Sequence, residues 1–234
     1  MKFSQTLPFA LALLQPTTAL VGHSWSVSDV TDDGLREITF PINIANAPHE
    51  EGFYFAQQFT FAGQSDVGYT GLQPQVDSSA GSVVHAAFSS FVPGSTTTDE
   101  NCSDGADGGA GVSCYVNING TYANTYHLNV KNSEGTTWVG TLIDAVTGQE
   151  THIGSYTLPD TTRGIEGSQL GFVEYFLGTK ECGDLPKTAV TFGNPIVEGH
   201  TGSIDVPYEY GDCVGKSAFE THSVESGQEI SVGF

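Results

Sequence analysis

Glu174 is the carboxylate in this sequence whose surroundings best suit chemistry. It stands in the run Phe172-Val173-Glu174-Tyr175-Phe176, and its alternation with large aromatic residues predicts a place in the middle of a strand. A glycosidase needs two carboxylates at a defined separation. The sequence contains no Glu-x-Asp-x-Glu run, so no second carboxylate can be identified as the partner of Glu174. It remains the best catalytic candidate, with a solvated charge paired with Lys180 or Arg163 as the alternative.

A second set of side chains could bind a polyhydroxylated ligand. Sugars present apolar C–H faces and hydroxyl rims, so a receptor needs aromatic platforms flanked by amides. Gln57 shares a strand face with four phenylalanines, so it is either a core residue or part of the site. Trp138 has the same two interpretations, core residue or platform. The candidate ligand-binding residues are Tyr54, Gln57, Gln58, Tyr69, Gln73, Trp138 and Tyr175.

Motifs for other chemistries are weak or absent. The seven histidines form no H-E-x-x-H pattern and no pair two residues apart, and there is no G-x-S-x-G motif. We expect no metal and no other cofactor, although the oxygen-rich segment 104–111 could hold calcium without matching an EF-hand. If processing occurred after Gly22, an N-terminal His23 could bind copper. The residues before Ala19 fit a cleavage site better.

The first 19 residues have the features of a secretory signal. Lys2 supplies the basic start, residues 7–14 form an apolar run, and small residues precede the predicted cleavage after Ala19. No later segment is apolar enough to span a membrane. We therefore predict a secreted, extracellular protein with one domain at 20–234.

Four cysteines in an exported chain predict two disulfides, among three possible connectivities. We favour pairing between neighbours along the chain, Cys102 with Cys114 and Cys182 with Cys213. Asn101 and Asn119 each begin an Asn-x-Ser/Thr glycosylation sequon.

The charge of the chain limits its partners. The formal net charge is −20, from 27 Asp and Glu against 7 Lys and Arg. Nucleic acids and anionic membranes are bound chiefly by neutralising their negative charge, so we expect neither as a partner. Acidity of this degree favours solubility in an acidic exterior over binding of a specific cation. We expect a monomer whose partner is a glycan or polysaccharide.

The sequence pattern predicts short strands separated by turns. The longest is predicted at Phe53–Phe61, followed by strands at 68–73 and 82–91, a hairpin from 137 to 158 and a strand at 172–177. Pro41 in the strand predicted at 35–44 favours an edge or a bulge. Residues 93–111 are predicted as a long loop. No window shows sustained helical periodicity, and 29 glycines mark many turns, so we predict a single-domain antiparallel β-sandwich or jelly roll.

Several runs together resemble a family of secreted microbial proteins catalogued as a domain of unknown function. They are Phe53-Tyr54-Phe55-Ala56-Gln57-Gln58-Phe59, Gly68-Tyr69-Thr70-Gly71-Leu72-Gln73, Trp138-Val139-Gly140-Thr141, Glu150-Thr151-His152-Ile153-Gly154 and the run around Glu174. The resemblance covers about Phe53 to Pro195 and implies a concanavalin-type jelly roll associated with carbohydrate. It implies no reaction and no catalytic residue.

These observations predict a secreted, lectin-like β-sandwich that binds a glycan, at a cell wall for example. The first alternative is a polysaccharide hydrolase or lyase on the same fold, with Glu174 in the active site. The second is a secreted structural or host-interaction protein without a small ligand.

Overall fold

The computed structural model describes residues 18–178 and 180–234. The strands, in chain order, are β1 Thr18–Val27, β2 Glu37–Asn43, β3 Phe53–Thr60, β4 Val67–Pro74, β5 Val83–Ser90, β6 Cys102–Ala106, β7 Gly109–Asn119, β8 Thr125–Glu134, β9 Thr137–Asp144, β10 Glu150–Thr157, β11 Ser168–Tyr175, β12 Thr188–Gly193, β13 Gly202–Ile204, β14 Tyr208–Glu209, β15 Glu220–Val224 and β16 Gly227–Val232. Within the described ranges the one helical segment is a 3₁₀ turn at Cys182–Asp184.

The strands form two antiparallel sheets that pack face to face. The larger sheet has the order β13-β1-β11-β3-β4-β5-β7-β6, with β14 also paired to β1, and the smaller has the order β10-β9-β8-β2-β12-β16-β15. The predicted antiparallel β-sandwich is therefore confirmed. Among the described residues, no helix is long and apolar enough to cross a membrane.

Strand β3 lies in the interior of the larger sheet and carries much of the core. Phe53, Phe55 and Phe59 point between the sheets and are fully buried, because alternate side chains of a strand share a face. The Phe59 ring lies 6.4 Å from the Phe40 ring of the facing sheet. Burial of each such ring contributes about 2 kcal/mol, so this row is a principal source of stability.

Both disulfides join the predicted neighbours, Cys102 to Cys114 and Cys182 to Cys213. The first is a direct cross-strand pair between β6 and β7. The second closes a longer segment that contains the 3₁₀ turn. The predicted pairing is confirmed.

Several local predictions need correction. Residues 93–111, predicted as a loop, contain β6 and the beginning of β7. The sequence pattern also predicts a short strand at 196–197, where the structure has a single bridge between Thr39 and Ile196. Pro41, for which the sequence predicted an edge or a bulge, lies on a strand between β8 and β12. Strand β12 pairs with β2 at Ile42 and Asn43 alone, so Pro41, which has no amide hydrogen to donate, lies where that pairing stops.

The predicted secretory signal, 1–19, lies outside the described residues except for Thr18 and Ala19, which begin β1. This strand was not predicted from the sequence. It pairs with β11 along most of its length, so it supports the strand that carries Glu174.

Candidate active site

Glu174 lies on the outward face of the larger sheet. On β11, Val173 and Tyr175 are buried in the core, so Phe172 and Glu174 point to the opposite face. Glu174 stands directly across from Tyr54 on β3 and from Ala19 on β1. The middle of the sheet, rather than an edge, therefore presents this carboxyl group.

The outward face around Glu174 is covered rather than solvated. A second apolar cluster lies on this face, separate from the core between the sheets. The Phe172 ring packs edge to face against Tyr54 at 5.7 Å and against Tyr69 at 5.3 Å between centroids. Tyr54 is only 8% exposed. The members of the cluster are Tyr54, Ala56, Tyr69, Ala87, Phe172, Phe176 and Tyr210.

These surroundings change the ionisation of Glu174. Burial, followed by the negative charge of Asp107, raises the pKa of its carboxyl group to about 7. Both effects disfavour the charged form. No hydrogen bond to this carboxyl group exists in the part of the chain that the structure describes. The group therefore exists in both protonation states near neutral pH, as acid–base catalysis requires.

Three tyrosines around Glu174 keep their protons. Burial, then the charge of Glu174, raises the pKa of Tyr54 well above its usual value and also raises that of Tyr69. The same two causes raise the pKa of Tyr210 to about 12. Their hydroxyl groups thus remain hydrogen-bond donors at any pH at which Glu174 titrates.

A row of polar side chains continues from Glu174 across the sheet. Phe55 of β3 pairs with Leu72 of β4, so the next residues along, Tyr54 and Gln73, lie opposite each other. Gln73 in turn pairs with His85 on β5. The His85 Nδ1 atom lies 2.8 Å from the Asn117 side-chain oxygen. Burial lowers the pKa of His85, so the neutral ring donates this hydrogen bond.

The next row of the outward face consists mostly of small residues. Phe172, Ala56, Gly71, Ala87 and Tyr115 lie side by side across five strands. A Cβ atom on Gly71 would lie 2.8 Å from the Tyr54 ring, and Ala56 and Ala87 are buried within the aromatic cluster. The outward face therefore combines a packed aromatic cluster with a line of hydrogen-bonding groups.

The structure corrects three of the predicted ligand-binding residues. Gln57 is fully buried between the sheets, where its side-chain oxygen lies 3.2 Å from His23 Nε2. Trp138 is fully buried against Phe61, at 4.9 Å between rings, and Tyr175 packs edge to face on Phe53. All three side chains point to the core face of their strands, so none of them can contact a ligand on the outward face.

The other predicted residues lie on the outward face. Tyr54, Tyr69 and Gln73 belong to the surroundings of Glu174 described above. Gln58 is half-buried on the same face, and its main-chain oxygen accepts a hydrogen bond from Trp25 Nε1. The structure thus brings together four of the seven ligand-binding candidates with the catalytic candidate.

The two glycosylation sequons differ in exposure. The Asn119 side chain is exposed at the end of β7, whereas that of Asn101 is half-buried and donates to the His152 carbonyl oxygen. Within residues 18–178 and 180–234, no group of three or more His, Cys, Asp or Glu side chains could hold a metal ion. In the described chain His23 is fully buried in the middle of β1, with its side chain in the core.

Sequence reasoning missed Asp107 and Tyr210, which influence Glu174 or its surroundings from distant parts of the chain. Asp107, whose negative charge raises the pKa of Glu174, belongs to the segment considered for calcium, and Tyr210 packs on the aromatic cluster of the outward face. Tyr210 follows the short strand β14 and is held by a hydrogen bond from its amide to the Leu20 carbonyl oxygen. No local pattern in the sequence identifies either residue.

Comparisons with known proteins find likeness in fold alone. No family model and no curated protein matches this chain. Two crystal structures of Scytalido-glutamic peptidase, one with a peptide-based transition state analog and one with a transition state analog inhibitor, match with TM-scores of 0.52 and 0.53. They are 12% and 13% identical to this chain, and each match covers 94% of this chain and all of the other.

The prediction of a carbohydrate-binding module is overturned by this comparison, because the similar solved structures are those of a peptidase. At such low identity the likeness establishes a shared β-sandwich fold and no more.

Proposed function

We propose that this protein is a peptidase in which Glu174 is the catalytic carboxyl group. The observation that carries the proposal is the placement of Glu174 in the middle of the sheet beside the aromatic cluster, where burial and the charge of Asp107 raise its pKa to about 7. Carboxyl groups with strongly shifted pKa values are common at catalytic sites. The likeness in fold to Scytalido-glutamic peptidase supports the choice of peptide bonds as the substrate.

The proposed reaction is a hydrolysis in which one carboxyl group serves twice. Ionised Glu174 takes a proton from water while the water oxygen bonds to the carbonyl carbon of the peptide. The tetrahedral intermediate then collapses, the C–N bond breaks, and Glu174 gives its proton to the leaving amine. The products are a carboxylic acid and an amine, and Glu174 returns to its ionised form.

Tyr54 and Tyr69 are the groups we assign to the developing oxyanion. Both rings pack on Phe172, so their positions are fixed before substrate binds. Their raised pKa values keep both hydroxyl groups protonated. Hydrogen-bond donors fixed in a site of low polarity stabilise developing negative charge more strongly than water does.

The first experiment compares the purified protein with its Glu174→Gln variant on a library of fluorogenic peptides between pH 3 and 8. Product masses identify the cleaved bond. We expect Glu174→Gln to lower kcat/KM by roughly 100-fold or more, because an amide can neither accept nor return the proton. Glu166→Gln, which removes an exposed carboxylate elsewhere, should retain full activity. Absence of cleavage by the wild-type protein, or full activity of Glu174→Gln, would contradict the proposal.

We further propose that the protein acts outside the cell as a monomer. The signal features of 1–19 support export, and the two disulfides are consistent with an oxidising compartment. Mass spectrometry of the protein recovered from culture medium tests this proposal. A mature chain that begins at Leu20 is expected, and a chain retained inside the cell would contradict export.

A further inference from the structure

The segment 208–213, which we call the β14 wall, covers the outward face of the larger sheet at β1. Gly22 of β1 pairs with Tyr208 of β14 and with Phe172 of β11. Residues paired across neighbouring strands point to the same face, so a Cβ atom on Gly22 would point outward, beside Phe172. That atom would lie 3.0 Å from the Cζ atom of Tyr208. The Tyr208 ring therefore lies over the outward face.

The β14 wall also passes directly beside Glu174. Ala19 pairs with Glu174, so its methyl group points to the outward face. A Cβ atom on Gly211 would lie 3.1 Å from the Ala19 Cβ atom and 2.6 Å from the Ala19 carbonyl oxygen. Tyr210, the residue before Gly211, packs on the aromatic cluster. On the β1 side of Glu174, the outward face is thus occupied by protein.

The β14 wall is held in place along its length. The Tyr210 amide donates a hydrogen bond to the Leu20 carbonyl oxygen at 3.1 Å. The Glu209 carboxylate accepts a hydrogen bond from the Ser217 hydroxyl group at 2.9 Å. Cys213 ends the segment in a disulfide. These contacts fix the position of the wall against β1.

On the other side of Glu174, the polar row continues across the sheet. Gln73 and His85 are half-buried and Asn117 is exposed. Strand β7 lies four strands from β11, about 19 Å at the usual spacing, which an extended peptide spans with about six residues. On the β1 side a single strand, about 5 Å wide, leaves room for one or two residues.

The charge of the wall region selects one end of a peptide. Residues 205–213 contain the carboxylates of Asp205, Glu209 and Asp212 and no lysine or arginine. Lys216, three residues beyond Cys213, offsets one of these charges. A free amino terminus is positively charged and a carboxyl terminus is negatively charged, so this region attracts the amino end and repels the carboxyl end.

We propose that the β14 wall makes the protein act on the amino end of peptides, so that Glu174 releases one or two residues at a time. The inference rests on the proposed function, because it names the substrate of the same site. A peptide that follows the polar row and continues past the cleaved bond would collide with Tyr208 and Tyr210. A peptide that ends there fits, and its amino group lies near the carboxylates.

The test uses one eight-residue peptide in three forms: with a free amino terminus, N-acetylated, and N-acetylated with one lysine added at the carboxyl end to restore the net charge. Product masses are followed over time with the wild-type protein. We expect the free form to lose one or two residues from its amino end and both acetylated forms to be cleaved roughly 10-fold more slowly or less. Equal rates for the three forms, internal cleavage, or release from the carboxyl end would overturn the inference and leave the peptidase assignment intact.

Two variants test the wall itself. Tyr210→Ala and Tyr208→Ala each remove a ring from the wall, so the ratio of the rates for free and acetylated peptides should fall towards one. Tyr210→Phe keeps the ring and should keep the wild-type ratio. Val214→Ala, which shortens an exposed side chain just beyond the wall, is the matched control. A wild-type ratio in both alanine variants of the tyrosines would show that the wall does not select the peptide end.

Binding separates this inference from the hydrolytic role of Glu174. Isothermal titration calorimetry with Glu174→Gln and the same three peptides should show roughly 10-fold tighter binding of the free form. If this preference is found but the wild-type protein cleaves no peptide, the hydrolytic role fails while the preference for the amino end stands. Equal affinities, or no binding of any form, would overturn the inference.

Discussion

The two faces of the larger sheet bury titratable groups in different ways. On the core face, His23 lies against Gln57 and Phe192, and burial lowers the pKa of His23 to about 4. On the outward face, burial raises the pKa of Glu174 to about 7. Burial disfavours the charged form in both cases, so it lowers the pKa of a base and raises that of an acid.

The difference in access gives the two groups different roles. His23 is fully enclosed between the sheets, and its Nδ1 atom, like Gln57 Nε2, has no hydrogen-bond partner in the described residues. Glu174 lies on the outward face of a single sheet and is partly exposed. A perturbed pKa therefore indicates a functional site here only where a ligand can also reach the group.

The largest expected effect concerns Gly171, which separates His23 from Gln57 on the core face. A Cβ atom at this position would lie 2.2 Å from His23 Nε2 and 2.3 Å from Gln57 Oε1. Because both side chains are enclosed, we expect Gly171→Ala to lower the free energy of unfolding by about 3 kcal/mol. Urea denaturation measures this. Gly183→Ala, where a Cβ atom would meet nothing, should have little effect, and equal stability of the two variants would contradict the described packing.

The second prediction tests the acid response of the core face. The pKa of His23 is lower in the folded protein than the 6.5 of the unfolded chain, so protonation favours unfolding. The free energy of unfolding is therefore highest above pH 6.5 and falls by about 3 kcal/mol as the pH drops to about 4. The double variant His23→Leu with Gln57→Leu should lose this dependence. Thermal unfolding across this pH range is the measurement, and the exposed His222→Gln is the control. If the stability of the wild-type protein does not fall with pH, His23 is accessible to water.

The third prediction tests the opposite response of the outward face. The pKa of Glu174 is higher in the folded protein than the 4.5 of the unfolded chain. Its contribution to stability is thus fully present below pH 4.5 and is lost as the pH rises through about 7. After allowance for solvent screening, we expect the free energy of unfolding to fall by about 2 kcal/mol over this pH range. Glu174→Gln should unfold at higher denaturant concentration than wild type at pH 8 and with little difference at pH 4. A destabilised variant at pH 8 would mean that a favourable partner of the carboxylate exists.

Much of this architecture could be predicted from alternation along single strands. The pattern around Phe53–Phe61 predicted both the strand and its core face, because side chains alternate regardless of what packs on them. The same rule explains why Gln57 belongs to the core, an interpretation that the sequence left open. Neighbouring cysteines joined as predicted, and for Cys102 and Cys114 the reason is that the β6–β7 hairpin places them opposite each other. Strand β1 was missed because its N-terminal residues overlap the predicted signal segment.

The sequence by itself determined the antiparallel β-sandwich, the disulfide pairing and the choice of Glu174 as the carboxylate to test. Only the tertiary structure decided which strand faces are enclosed, and therefore which tyrosines and glutamines belong with Glu174. It also decided that Tyr210 packs on the aromatic cluster beside this carboxyl group. The physical reason is that alternation fixes directions within one strand, whereas the field at a buried group depends on every element packed around it, and those elements come from distant parts of the chain.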